Sequence, residues 1–251
     1  MKLLFTILLS CTLGNALAQH NDTTRQMGSN GLEYVQVNDQ KGLLTFTCTY
    51  KNGVKEGAWT TYWTETGYPK HTEIYYNGKL NGTVSNTDAT GYTDLVETYK
   101  DGLLDGPRRV FTKGAFISEE TYYKNGEKNG PYTSWYLIHN VKEKCFYVNG
   151  KRQGQATWYY ENQKVAAEYN YTKGEMDGPT YTFNESGKPT ALDTYVMSEH
   201  TGPAKEYYEN GNVKAEGEYD KDVKVGTWKL YDEQGKFVKK ITYKKGEAQS
   251  K

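Results

Sequence analysis

The sequence predicts an all-β fold: an elongated single-layer antiparallel sheet of stacked β-hairpins. Three observations predict it. The outline Tyr-x-Asn-Gly-x-x-x-Gly recurs along the chain, with its second glycine at Gly57, Gly82, Gly106, Gly130, Gly154, Gly178, Gly202 and Gly226. Apart from one step of 25, the spacing is 24 residues, and a fixed period of this kind marks a repeat array. Asn-Gly or Asp-Gly pairs (Asn52-Gly53, Asn77-Gly78, Asp101-Gly102, Asn125-Gly126, Asn149-Gly150) supply the positive φ that tight hairpins need. Helical spacing of apolar residues is absent, while Tyr, Thr, Val and Gly dominate.

In chain order, Met1-Lys2 precedes an apolar run over 3–9, and Ala16-Leu17-Ala18 supplies a small-residue cleavage site. Residues 1–18 therefore read as a signal peptide cut after Ala18, giving an exported chain, periplasmic or extracellular. A less favoured reading takes Leu8-Leu9-Ser10-Cys11 as a lipoprotein site acylated at Cys11. Residues 19–32 are polar and aperiodic, expected as a flexible leader. Residues 33–49 form an atypical first hairpin, as terminal repeats of an array are expected to be. Residues 50–251 hold about eight repeats of 24 residues.

Each repeat reads as two strands. Pro107, Pro131, Pro179 and Pro203 follow the anchor glycine directly, and proline belongs at a strand start. In the second strand the repeat tyrosine and the residue six before it are apolar (Val141/Tyr147, Val165/Tyr171, Val213/Tyr219), so one face carries aromatics and the other is wet. In the first strand aromatics fall two and five after the glycine (Trp59/Tyr62, Tyr132/Trp135, Trp228/Tyr231), which breaks strict alternation. A bulge or aromatics on both faces would each account for it. Ser198 and Asp222 replace the first glycine of the outline in the last repeats, either by drift on a tolerant turn or as a specialised site.

Composition limits the function. The chain carries 31 basic and 31 acidic residues, with no basic footprint of the kind nucleic-acid binding needs. Leu, Ile, Val and Phe are sparse, but 24 tyrosines allow a thin sheet to bury aromatic area. Cys48 and Cys145 hold equivalent places four repeats apart, roughly 38 Å at about 4.8 Å per strand, whereas a disulfide needs Cα atoms within about 7 Å. His20, His71, His139 and His200 sit on separate repeats, so they read as surface histidines rather than ligands of one metal. No nucleophile elbow, Cys–His pair or phosphate loop is present, and neither a cofactor nor a catalytic residue is called for.

The Tyr-x-Asn-Gly-x-x-x-Gly-x-Trp outline, read in Lys51-Asn52-Gly53-Val54-Lys55-Glu56-Gly57-Ala58-Trp59 and in Asp220-Lys221-Asp222-Val223-Lys224-Val225-Gly226-Thr227-Trp228, resembles the MORN repeat, in particular the variant common in bacterial proteins. The resemblance covers about residues 43–246. It implies a run of antiparallel hairpins with one aromatic-lined face, and a role in protein scaffolding or attachment near membranes. Some bacterial relatives carry an antitoxin-like label, which an exported chain fits poorly. Val84, Arg108, Ala156, Thr180 and Ala204 stand where the outline has tryptophan, which counts against a ligand that needs an unbroken tryptophan row.

The expected function is a non-enzymatic scaffold at the cell envelope that holds a protein partner through its aromatic face. The alternative is an attachment module for membrane lipid or envelope glycan. The candidate binding face comprises Trp59, Tyr62, Tyr75, Tyr99, Phe111, Tyr123, Trp135, Tyr147, Tyr159, Tyr171, Phe183, Tyr195, Tyr207, Tyr219, Trp228 and Tyr231. Aromatic rows of this kind stabilise a thin sheet by cross-strand pairing, and exposed ones also bind.

Overall fold

The computed structural model describes residues 22–112, 116–137 and 139–249. The expected signal peptide, the Ala18 cleavage site and Cys11 lie outside the described residues. Among the described residues the fold is all-β, with twenty-five strands and no helix. The described residues divide into two compact units, those up to 117 with 123–126, and those of 118–122 with 127 onward. Each is an open antiparallel sheet of stacked hairpins.

One repeat of the second unit shows how the sequence builds the hairpin. The strand Gly154–Tyr159 runs out, and the Tyr160 amide closes the turn on the Lys164 carbonyl at 2.9 Å. The strand Val165–Thr172 returns and reverses through Lys173 and Gly174, whose φ values are 54° and 91°. Two consecutive positive φ angles make the turn whose twist matches that of the flanking strands. The short strand Glu175–Met176 follows, and the next anchor, Gly178, opens Gly178–Phe183.

The seven-residue interval from tyrosine to anchor glycine has a cross-strand meaning. Tyr171 lies between Gly154 of the previous repeat and Met176 of its own. The same holds for Tyr75 between Gly57 and Leu80, and for Tyr219 between Gly202 and Lys224. The anchor glycine sits at a bulge: it opens the strands Gly57–Tyr62, Gly154–Tyr159 and Gly178–Phe183, and falls inside Glu127–Trp135 and Val223–Tyr231. Across it the ladder with the preceding strand jumps from Tyr147↔Arg152 to Lys144↔Thr157. A Cβ on Gly130, at φ 128°, would lie 2.9 Å from Cβ of Tyr122, so both backbone angle and space require glycine there.

A second bulge answers the question left by the first strand. The register shifts between Ser134 and Trp135, between Trp158 and Tyr159, and between Leu230 and Tyr231. Beyond it, the aromatic five after the glycine pairs with the residue six before the tyrosine: Trp135↔Val141, Tyr159↔Val165, Tyr231↔Phe237. The Tyr231 and Phe237 rings meet edge to face at 6.1 Å. A bulge is present, and aromatics also occupy both faces. The expectation that Val141, Val165 and Val213 share the face of the repeat tyrosines is corrected, because the extra residue of the bulge turns them to the other side.

The core is one residue wide. On the tyrosine face the buried positions are chiefly those two after the glycine (Val84, Ala156, Thr180, Ala204, Trp228) and two before the tyrosine (Cys48, Thr121, Cys145), joined by Val35 opposite Cys48 and by Ala215 beside Trp228. Cross-strand partners trade volume: Ala156 faces Tyr169, Tyr132 faces Cys145, and the Trp228 ring lies over Gly217. Where the outline loses its tryptophan, a small residue takes the buried slot or a large residue fills it from the opposite strand. Both cysteines are buried free thiols, and burial pushes their pKa values up.

The start of the chain differs from the expected flexible leader. Asp22–Met27 is a strand, paired residue by residue with Leu32–Asn38 from Asp22↔Asn38 to Met27↔Glu33. All six of its residues are exposed, and Arg25 donates a hydrogen bond to Glu33 at 2.6 Å. Ladder bonds and charge hold it rather than apolar burial, so no alternation marks it in the sequence. Leu32–Asn38 pairs in turn with Leu44–Lys51 as an antiparallel hairpin.

Candidate binding surfaces

The candidate aromatics divide between two faces. Tyr75, Tyr99, Tyr123, Tyr147, Tyr171, Tyr195 and Tyr219 share one register position, joined on that face by Trp59 and Trp228. Tyr62, Phe111, Trp135, Tyr159, Phe183, Tyr207 and Tyr231 share the other position, five after the glycine. The Tyr62 hydroxyl lies 3.1 Å from that of Thr47, and the Tyr231 hydroxyl donates to Glu216 at 2.8 Å, both on the face opposite the repeat tyrosines. Apart from buried Trp228, these aromatics are half-buried.

A feature missed in the sequence lies between the tyrosines. The residue two before each anchor glycine (Lys55, Leu80, Leu104, Lys128, Arg152, Met176, His200, Lys224) stands beside the repeat tyrosine as a rung. The Lys55 ammonium sits 4.0 Å from the Trp59 ring centre and 4.3 Å from that of Tyr75. Lys128 lies over Tyr132 and Tyr147, Arg152 over Trp158 and Tyr171, and Lys224 lies 3.8 Å from the Trp228 ring centre. Cations over aromatic faces are attracted by the ring quadrupole, and their stems cover apolar surface. The column mixes Lys, Leu, Arg, Met and His, alike in reach rather than chemistry. Reading it down the repeats is the signal that would have found it.

Carboxylates on this face are paired. Glu97 binds Arg108 at 2.9 Å and accepts from Tyr99, and Glu143 binds Arg152. Burial pushes the Tyr132 phenol up to about 12, with the Glu119 carboxylate adding to it. On the other face Glu216 accepts from the Tyr231 hydroxyl, Lys205 and Lys229, which together hold its carboxyl near 2.

His200 is not a surface histidine. Its ring stacks between Tyr195 at 5.0 Å and Tyr219 at 3.8 Å, with Nε2 3.0 Å from Asp193 Oδ1. Burial raises the Asp193 carboxyl, and His200 opposes that rise. Nearby, the departures at Ser198 and Asp222 find a structural reason. Both adopt positive φ, 68° and 67°, in the slot glycine fills elsewhere. Ser198 Oγ accepts from the Met176 amide and Asp222 Oδ1 from the His200 amide, each at 3.0 Å. Each side chain ties its turn to the preceding repeat.

Turn residues add further ties. The Tyr136, Tyr160 and Tyr208 hydroxyls donate to the carbonyls of Tyr159, Phe183 and Tyr231 at 2.7–2.8 Å. The hollows beside Glu216 and Lys229, and beside Cys48 and Ala58, are shallow and open to solvent. Among the described residues the sheet offers broad periodic faces. A search of curated proteins returns no significant match. Three segments, 152–173, 201–221 and 224–245, match the family model described as MORN repeat variant, so these repeats are similar in sequence to that family.

Proposed function

We propose that this chain is an exported, non-enzymatic repeat scaffold that holds a protein partner at the cell envelope. One observation carries the reading. Every repeat presents a half-buried tyrosine in the same register, beside a long rung residue that is cationic at Lys55, Lys128, Arg152 and Lys224. Flat, aromatic and cationic surface suits a protein interface, where Tyr, Trp and Arg concentrate binding energy. The match to MORN repeats supports a scaffold.

The test is a crosslinking pull-down with the tagged chain against an envelope fraction of the source cell. Two variant sets separate the faces: Lys128→Ala with Lys224→Ala on the tyrosine face, and Tyr159→Ser with Tyr207→Ser on the other. One protein at near-equal amount, lost from the first set only, is the expected result. Capture of lipid or glycan without protein would favour an attachment module. Capture unchanged in both sets would remove the aromatic faces from the proposal.

A further inference from the structure

The first unit carries an exposed apolar row along its turn edge. The position seven before the repeat tyrosine, just past each outer turn, holds Leu43, Tyr68, Tyr92 and Phe116, which are 43%, 49%, 55% and 39% exposed. In the second unit the same position holds Asn140, Lys164, Lys188, Asn212 and Lys236. The fold does not require apolar side chains there, since Lys164 and Lys188 lean over the next turn glycine, Gly187 and Gly211, much as the Tyr68 ring leans over Gly91. The row is a property of the first unit alone.

We infer that this row is a docking ridge for a proline-rich segment of a protein partner, bound as a polyproline II helix. The inference rests on the scaffold reading and names the partner's chemistry. Successive ridge residues stand two strands apart, roughly 9.6 Å at about 4.8 Å per strand. A polyproline II helix repeats each face every three residues at about 3.1 Å per residue, roughly 9.3 Å. An extended strand repeats a face every two residues, about 6.7 Å, and falls out of step after one ridge residue. An α-helix rises about 9.0 Å in six residues or 10.5 Å in seven, and also drifts off the ridge. Tyrosine-lined surfaces are the known means of holding such helices, which lose little entropy on binding.

Charge narrows the choice. The turns bearing Leu43, Tyr68, Tyr92 and Phe116 carry Asp39, Glu65 and Asp88 against Lys41 and Lys113, and the three acidic residues fall in the first three turns. Asp39 and Asp88 are fixed by accepting backbone amides from Leu43 and Tyr92, and the hydroxyl and amide of Thr90 also bond Asp88 and hold its carboxyl below the usual range. The acidic excess along the Leu43, Tyr68 and Tyr92 turns disfavours anionic headgroups and favours prolines flanked by arginine or lysine.

The probe is a fluorescent proline decapeptide with an arginine at each end, titrated against the full chain by anisotropy. A helical alanine-rich peptide with the same arginines is the comparison. The double variant Tyr68→Lys, Tyr92→Lys copies what the second unit carries at this position, so the sheet tolerates it, and circular dichroism checks that. Saturable binding of the proline peptide, weakened at least tenfold in the double variant, is expected. Absence of saturable binding, equal binding by the variant, or preference for the helical peptide each overturns the inference. If the proline peptide fails while the envelope pull-down still returns one protein, the ridge is wrong and the scaffold reading stands.

Discussion

The sharpest test of the one-residue-wide core is Gly217→Ala. Gly217 lies mid-strand, and a Cβ there would sit 2.4 Å from Cδ2 and Cε2 of Trp228. Ordinary contact begins at 3.4 Å, so the ring must recede by about 1.0 Å, the difference of the two distances. It has nowhere to go: Trp228 is 1% exposed, packs with Ala204 and Ala215, and donates its indole N–H to the Glu218 carbonyl at 3.2 Å. Overpacking of this kind costs about 1–3 kcal/mol. Replacing glycine recovers about 0.4–1 kcal/mol by restricting the unfolded chain. The net expectation is a loss of about 1–2 kcal/mol. Trp228→Val, the residue that fills the equivalent slot at Val84, makes room for the methyl. In that background Gly217→Ala should be neutral or stabilising, a coupling of about 2 kcal/mol. Array proteins need not unfold in one step, so the readout is amide hydrogen exchange of the strands Val213–Asp220 and Val223–Tyr231 rather than a global melt alone. Stabilisation by Gly217→Ala on its own, or the same penalty in both backgrounds, would refute the packing argument.

The remaining expectations concern charge and turn chemistry. Arg152→Ala removes the partner of Glu143, which is 13% exposed, and should cost about 2–3 kcal/mol by urea titration, with Glu143→Gln in the same chain recovering much of it. Glu216 is held near pH 2 against an ordinary 4.5. Its folded pKa is depressed, so its contribution is present above about pH 4.5 and is lost as pH falls toward 2. Glu216→Gln should flatten that limb of an acid titration, and an unchanged limb would discount the Tyr231, Lys205 and Lys229 contacts. Met197 is exposed and holds φ 49° where Asn52, Asn77, Asn125 and Asn149 stand in other repeats, so Met197→Asn should stabilise by about 0.5–1 kcal/mol in a thermal melt.

Much of this architecture is legible in the chain. The Tyr-to-Gly interval predicts the repeats, and the Asn-Gly pairs predict the turns, because both depend on local backbone chemistry. What stayed hidden depends on register. The bulge beside Tyr159 and Val165 changes which side a valine faces without changing any residue's character. The rung from Lys55 to Lys224 mixes charged and apolar residues, so a hydropathy pattern averages it away. Asp22–Met27 buries nothing, and burial is what alternation reports. The division of the candidate aromatics between two faces follows from the bulge and was open until the pairing was seen.

One set of hydrogen bonds has a consequence for the chain's history. In each unit the second residue of the tight turn donates its amide to the carbonyl of the preceding rung: Gly78 to Lys55 and Gly102 to Leu80 in one, Gly174 to Arg152, Ser198 to Met176 and Asp222 to His200 in the other, at 2.8–3.0 Å. Donor and acceptor are both main-chain atoms, so the seam does not record which repeat it joins. Excising one whole period, such as residues 178–201, brings Gly202 to the end that Gly178 left, and Asp222 to the carbonyl that Ser198 used. Lengthening by in-frame duplication meets the same welcome. A chain stitched in this way is free to gain or lose modules while the main-chain bonds of the seam re-form with the next repeat.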